Sequence, residues 1–98
     1  MTDPAPDPVV RDLRGEISEL DRAIVAAVNA RLELVARLKQ YKESQGLPFV
    51  DPERERQLVE ELARANAGPL SEEGLRNLCA ALLELTKREV ARDGDPSP

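Results

Sequence analysis

The sequence predicts an all-α fold of three helices per chain, one very long, assembled as an intertwined antiparallel helical homodimer. Two observations lead there. Apolar residues recur at steps of three and four along most of the chain, the period of a helical stripe rather than the alternation of a strand. The composition agrees: 34% of residues are charged, 2% are aromatic, and the apolar ones are mostly Leu, Val, Ile and Ala, a mixture that favours helices over sheets. A chain of 98 residues fits one domain, with a core that is marginal alone.

The first helix is expected from about Val9 to about Ser44. Val10, Leu13, Ile17, Leu20, Ile24, Val28, Leu34, Val35, Leu38 and Tyr41 form its stripe. Gly15 interrupts it at a cost of about 1 kcal/mol, and Gly46 and Pro48 stop it. About 35 residues at 1.5 Å each give roughly 50 Å, against a radius of gyration of about 13 Å for a compact domain of this size. Such a helix overruns a monomeric globule, and pairing with a second copy is the simplest way to bury the rest of its stripe.

The second helix starts at Asp51-Pro52, where Asp caps and Pro suits the first helical position because its missing N–H has no partner there. Leu58, Val59, Leu62 and Ala65 make its apolar side, and Gly68-Pro69 ends it. The third starts at Ser71, a second cap, with Glu72 and Glu73 on the positive end of the helix dipole. Leu75, Leu78, Cys79, Leu82, Leu83, Leu85 and Val90 supply its apolar side. Residues 1–8, with three prolines, and 93–98, with Gly94, Pro96 and Pro98, read as disordered tails around a helical domain over 9–92.

Several function classes are disfavoured. The chain has no His and one Cys, so it holds no imidazole base, no intrachain disulfide and no Cys-based zinc site. Cys79 reads as a buried structural residue. A formal net charge of -5 argues against nucleic acid or an anionic membrane as partner. No apolar run approaches membrane-spanning length and no signal peptide is visible, which predicts a soluble cytoplasmic protein.

Most charges read as solvated helix surface, with a few exceptions. Arg31 sits in line with the apolar stripe, where a cation must snorkel or find an anion. Lys42 follows eleven residues later, close to three full turns, so both point the same way roughly 16 Å apart. Two long side chains can lean together around a small anionic ligand. Arg14 is roughly 25 Å from Arg31 along the helix and reaches such a site only from the partner of an antiparallel dimer. The segment Asp51-Pro52-Glu53-Arg54-Glu55-Arg56 packs charge into a helix start, where capping and dipole compensation are the plain explanation. Thr86 lies on the apolar face of the third helix, where a back-bond to the carbonyl four residues earlier is expected.

The stretches LRGEISELDRAIVAAVNARLELVARLKQYK (Leu13–Lys42) and GLPFVDPERERQL (Gly46–Leu58) together resemble the all-helical class of chorismate mutases, and the similarity covers roughly residues 10 to 90. The resemblance implies chorismate as substrate, prephenate as product, a place in phenylalanine and tyrosine biosynthesis, and no cofactor or metal. It implies that Arg31 holds one substrate carboxylate and Arg14 of the other subunit the second. Lys42 would donate to the ether oxygen and a carboxylate. The Asp51 backbone and the Glu55 carboxylate would take the substrate hydroxyl, and Arg54 would steady Glu55. Thr86 stands where the family usually has a small polar residue near a carboxylate. One departure is plain: where the family often has Gln or Glu as a second donor to the ether oxygen, this chain has Val90, with Glu89 beside it as a substitute.

A [3,3] rearrangement needs no nucleophile, base or metal. It needs a compact substrate conformer and positive charge at the breaking C–O bond, which Arg and Lys supply. The nearest rival is an isochorismate pyruvate-lyase on the same fold. A non-catalytic helical dimerisation or regulatory module is the other, and it leaves the cation within the stripe unexplained. Val90 also leaves room for a weak mutase boosted by a partner enzyme of aromatic biosynthesis.

Overall fold

The computed structural model describes residues 7–93. It contains three helices, α1 (Pro8–Ser44), α2 (Pro52–Ala65) and α3 (Glu72–Asp93), and no strand among the described residues. The terminal segments expected to be disordered lie outside the described residues except for Asp7, Pro8 and Asp93. Pro8 opens α1, one residue before the expected start, because Asp7 is a cap. Its carboxylate accepts from the amides of Val9 at 2.8 Å and Val10 at 3.3 Å. Pro8 then occupies the position where a missing N–H costs nothing. Among the described residues no helix is long and apolar enough to cross a membrane.

The chain divides into two units, residues 1–31 and 32–98. The described part of the first is helix throughout. No residue of α1 is buried, and Leu13, Ile17, Leu20 and Ile24 are 53–64% exposed. The stripe foreseen from the sequence is thus a helix face that the chain itself does not cover.

In the second unit α1 ends in a turn of defined chemistry. Gly46 adopts φ +68°. Its amide donates to the Glu43 carbonyl at 3.2 Å, and the Leu47 amide to the Lys42 carbonyl at 2.8 Å. These are the two bonds of a Schellman end, in which the left-handed residue is best served by glycine. Asp51 caps α2, accepting from the Arg54 amide at 3.2 Å, with Pro52 next as expected. Asn66 closes the α2–α3 connection: its side chain donates to the Leu70 carbonyl at 2.8 Å and accepts from the Gly68 amide at 2.9 Å. Ser71 caps α3 through the Gly74 amide at 3.0 Å.

α2 and α3 pack against each other. The buried side chains Leu75, Cys79, Thr86 and Val90 all lie on α3, at steps of four and seven, which is one face of a helix. Leu58, Val59 and Leu62 of α2 are half-buried, whereas Ala65 and Leu78, counted with the apolar sides above, are exposed.

Replacing Leu75, only 5% exposed, by Ala should cost about 2–4 kcal/mol. The same change at exposed Asn77 should stay within about 0.5 kcal/mol. Urea denaturation of both variants checks the contrast; equal losses would place the core elsewhere.

Candidate active site

Lys42 is tied to the turn that follows it twice. Its carbonyl accepts from Leu47, as above, and its half-buried ammonium lies 3.4 Å from the Phe49 carbonyl. The chain returning from the Schellman end thus offers a backbone acceptor to the last cation of α1. An ammonium has three donors, so the contact with Phe49 leaves others for a ligand.

Asp51 sits at the start of α2 and Glu55 one turn on. Glu55 Oε2 is 3.0 Å from Lys87 Nζ on α3, with side-chain exposures of 29% and 45%. Arg54, expected to steady Glu55, instead engages Glu61 at 3.1 Å. The reason is helical geometry: consecutive residues diverge by about 100°, while a residue seven further on lies on nearly the same face. On α3, Thr86 is buried and its hydroxyl donates to the Leu82 carbonyl at 2.7 Å, the back-bond anticipated for it.

Val90 is 3% exposed. It lines a cleft of about 190 Å³ with Leu32, Glu33, Ala36 and Glu89. Glu89, the residue beside the missing donor, therefore faces the same space as Val90. Its carboxylate also lies 3.4 Å from Arg92. Arg14 is exposed on the part of α1 within residues 1–31, and Arg31, half-buried, ends that part.

Three participants were not singled out by the sequence: Lys87, Glu33 and the Phe49 carbonyl. The first two look like ordinary helix-surface charges, and a backbone carbonyl has no sequence signature. The order Lys-x-x-Glu-Val over 87–90 would have pointed to Lys87 only if the α2–α3 register were already known.

The family described as chorismate mutase type II matches residues 13–90. The bifunctional chorismate mutase/prephenate dehydratase of Aquifex aeolicus is 33% identical over 87 residues, covering 81% of this chain and 24% of that protein. The T-protein of Haemophilus influenzae is 46% identical over 46 residues, covering 47% of this chain and 12% of that protein. The chain thus spans a quarter or less of these relatives. Two crystal forms of a chorismate mutase from Thermus thermophilus are similar in fold at 28% identity. Form I gives a TM-score of 0.76, covering 79% of this chain and 96% of that one. Form II gives 0.80, covering 85% and 94%.

Beside the candidate residues, the Glu53 carboxylate is bonded by the Arg56 guanidinium, which holds it below the usual carboxylate range; the bond from Gln57 adds to this, while partial desolvation and Asp51 oppose it. Glu53, with Glu60, raises Arg56 in turn. A carboxyl lowered on folding contributes stability that is present above its unfolded value and lost as pH falls through the folded one. Glu53→Gln should therefore lose less stability than the parent between neutral pH and about pH 3. Urea midpoints at both pH values read the difference, which should be small because the pair is exposed. Identical acid losses in the two proteins would contradict it.

Proposed function

Because the chain belongs to the chorismate mutase type II family, we propose that it converts chorismate to prephenate as a homodimer whose sites draw residues from both subunits. The observation that carries this reading is the family match over residues 13–90, which spans every candidate from Arg14 to Val90. The uncovered stripe of α1 supports the dimer: Leu13, Ile17, Leu20 and Ile24 are each more than half exposed, and a second copy would remove that apolar surface from water. The catalytic unit is the helical domain over 9–92, and a cytoplasmic setting belongs to the same proposal.

In the reaction the ether C–O bond of chorismate breaks as a C–C bond forms between the enolpyruvyl methylene and the ring. No proton moves. Arg31 and the partner's Arg14 each hold one carboxylate and so select the compact conformer in which the bonding carbons approach. Negative charge grows on the ether oxygen, and Lys42 meets it with a donor not used by Phe49. The Asp51 backbone and Glu55 take the ring hydroxyl, and Thr86 lies by a carboxylate. Val90 offers no hydrogen bond. Glu89, with its carboxylate already beside Arg92, is an acceptor rather than a donor. Lys42 thus carries the ether oxygen without a second donor. A site one donor short also suits activation by a partner enzyme of aromatic biosynthesis. The Aquifex relative, whose name joins chorismate mutase to prephenate dehydratase, supports such a linkage.

The test is loss of chorismate ultraviolet absorbance with prephenate identified as product. No turnover, or release of pyruvate from isochorismate instead, would overturn the reading. Arg14→Ala and Arg31→Ala should each be nearly inactive, and mixing them should restore part of the activity through heterodimers that carry one site with both arginines. Verified heterodimers without recovery would refute the shared site.

The ether-oxygen assignment makes its own demand. Lys42→Ala should reduce turnover by about 100-fold or more, Val90→Gln should raise it by supplying the absent donor, and Glu89→Gln should leave Lys42 essential. A Lys42→Ala enzyme as fast as the parent would remove this mechanism.

A further inference from the structure

We propose that Lys87 is a positioning residue for the reaction, acting through Glu55. This rests on the reading of Glu55 as acceptor of the substrate hydroxyl. Among the described residues, Lys87–Glu55 is the ion pair that joins two helices; the others, such as Arg54–Glu61, Arg56–Glu60 and Arg76–Glu72, each lie within one helix. It is made across the α2–α3 packing, and Lys87 directly follows buried Thr86.

Two physical effects follow from an ammonium 3.0 Å from Glu55 Oε2. The first is orientation. A carboxylate on an exposed helix start samples several rotamers, and fixing one oxygen on a cation from the facing helix restricts the other, Oε1, to a narrow range of positions. An acceptor already in place reduces the entropy lost when substrate binds. The second is charge. Chorismate carries two carboxylates, and a third carboxylate in its site repels it. Lys87 offsets that repulsion at close range, where Coulomb energy is largest. A partly exposed pair of this kind contributes little to stability, so a purely structural role would leave a small trace in catalysis.

Lys87→Met keeps the aliphatic stem and removes the charge. It should lower kcat/KM about three- to tenfold, mainly through a higher KM, with the thermal midpoint nearly unchanged. Lys87→Arg should recover most of the loss. In a Glu55→Gln background, where no carboxylate needs orienting or neutralising, Lys87→Met should add almost nothing. With a chorismate analogue lacking the ring hydroxyl, the part of the penalty due to orientation should disappear. Multiplicative losses in the Glu55→Gln background would mean that Lys87 acts independently of Glu55 and would overturn the proposal. So would full activity in Lys87→Met, or an activity loss matched by a large fall in thermal midpoint. A parent enzyme inactive on chorismate, or a Glu55→Ala enzyme as active as the parent, would instead overturn the underlying reading and the role of Lys87 with it.

Discussion

The order of residues 32–98 depends on the packing of α2 against α3. Every residue that is buried lies on one face of α3: Leu75, Cys79, Thr86 and Val90. This face sets the register of the helix pair, and the register fixes which polar groups meet. At one end Asn66 ties the connection with two hydrogen bonds. Toward the other, Lys87 reaches Glu55. The apolar face thus does more than supply hydrophobic free energy. It puts one helix-start carboxylate opposite one cation, a specificity that surface electrostatics alone could not provide, since exposed pairs have marginal energies.

The α1–α2 turn adds the second fixed point. The left-handed Gly46 reverses the chain, and the strand of backbone that follows returns its Phe49 carbonyl to Lys42. The Asp51 cap then starts α2 with a defined direction. Three local devices, each short-range, therefore hold Lys42, Asp51 and Glu55 within one stretch of chain. That economy suits a small domain, where a large core is not available to immobilise a site.

Local chemistry was legible in the sequence; tertiary chemistry was not. Asp51-Pro52, Ser71 and Gly46 marked helix ends that the structure reproduces, because capping depends on residues a few positions apart. Asp7 escaped notice because its neighbouring prolines looked like tail composition, although Pro8 follows the same logic as Pro52. The helical stripe of α1 was visible as a period, and its exposure in the structure follows from the same pattern. The Lys87–Glu55 contact had no signal: both are charged residues on helix surfaces, and only the α2–α3 register distinguishes them from Arg76 and Glu72. Arg54 shows the converse. The family resemblance placed it beside Glu55, but adjacent helical residues face apart, and it found Glu61 instead.

An acidic chain, with net charge -5, is at first sight a poor host for the dianionic substrate proposed here. The distribution of charge resolves this. Many carboxylates are spent in exposed pairs along a single helix: Glu43 with Lys39, Glu53 and Glu60 with Arg56, Glu72 with Arg76, Glu61 with Arg54. At physiological salt, exposed charges beyond about 8 Å are largely screened, so such carboxylates have little influence on a ligand held elsewhere. What a bound carboxylate feels is the group within hydrogen-bonding reach. A carboxylate inside that range, as Glu55 is proposed to be, must then be neutralised locally rather than by the overall charge of the protein. A cation at 3.0 Å meets that requirement, and a chain whose remaining acids are paired along its helices can stay acidic without repelling what it binds.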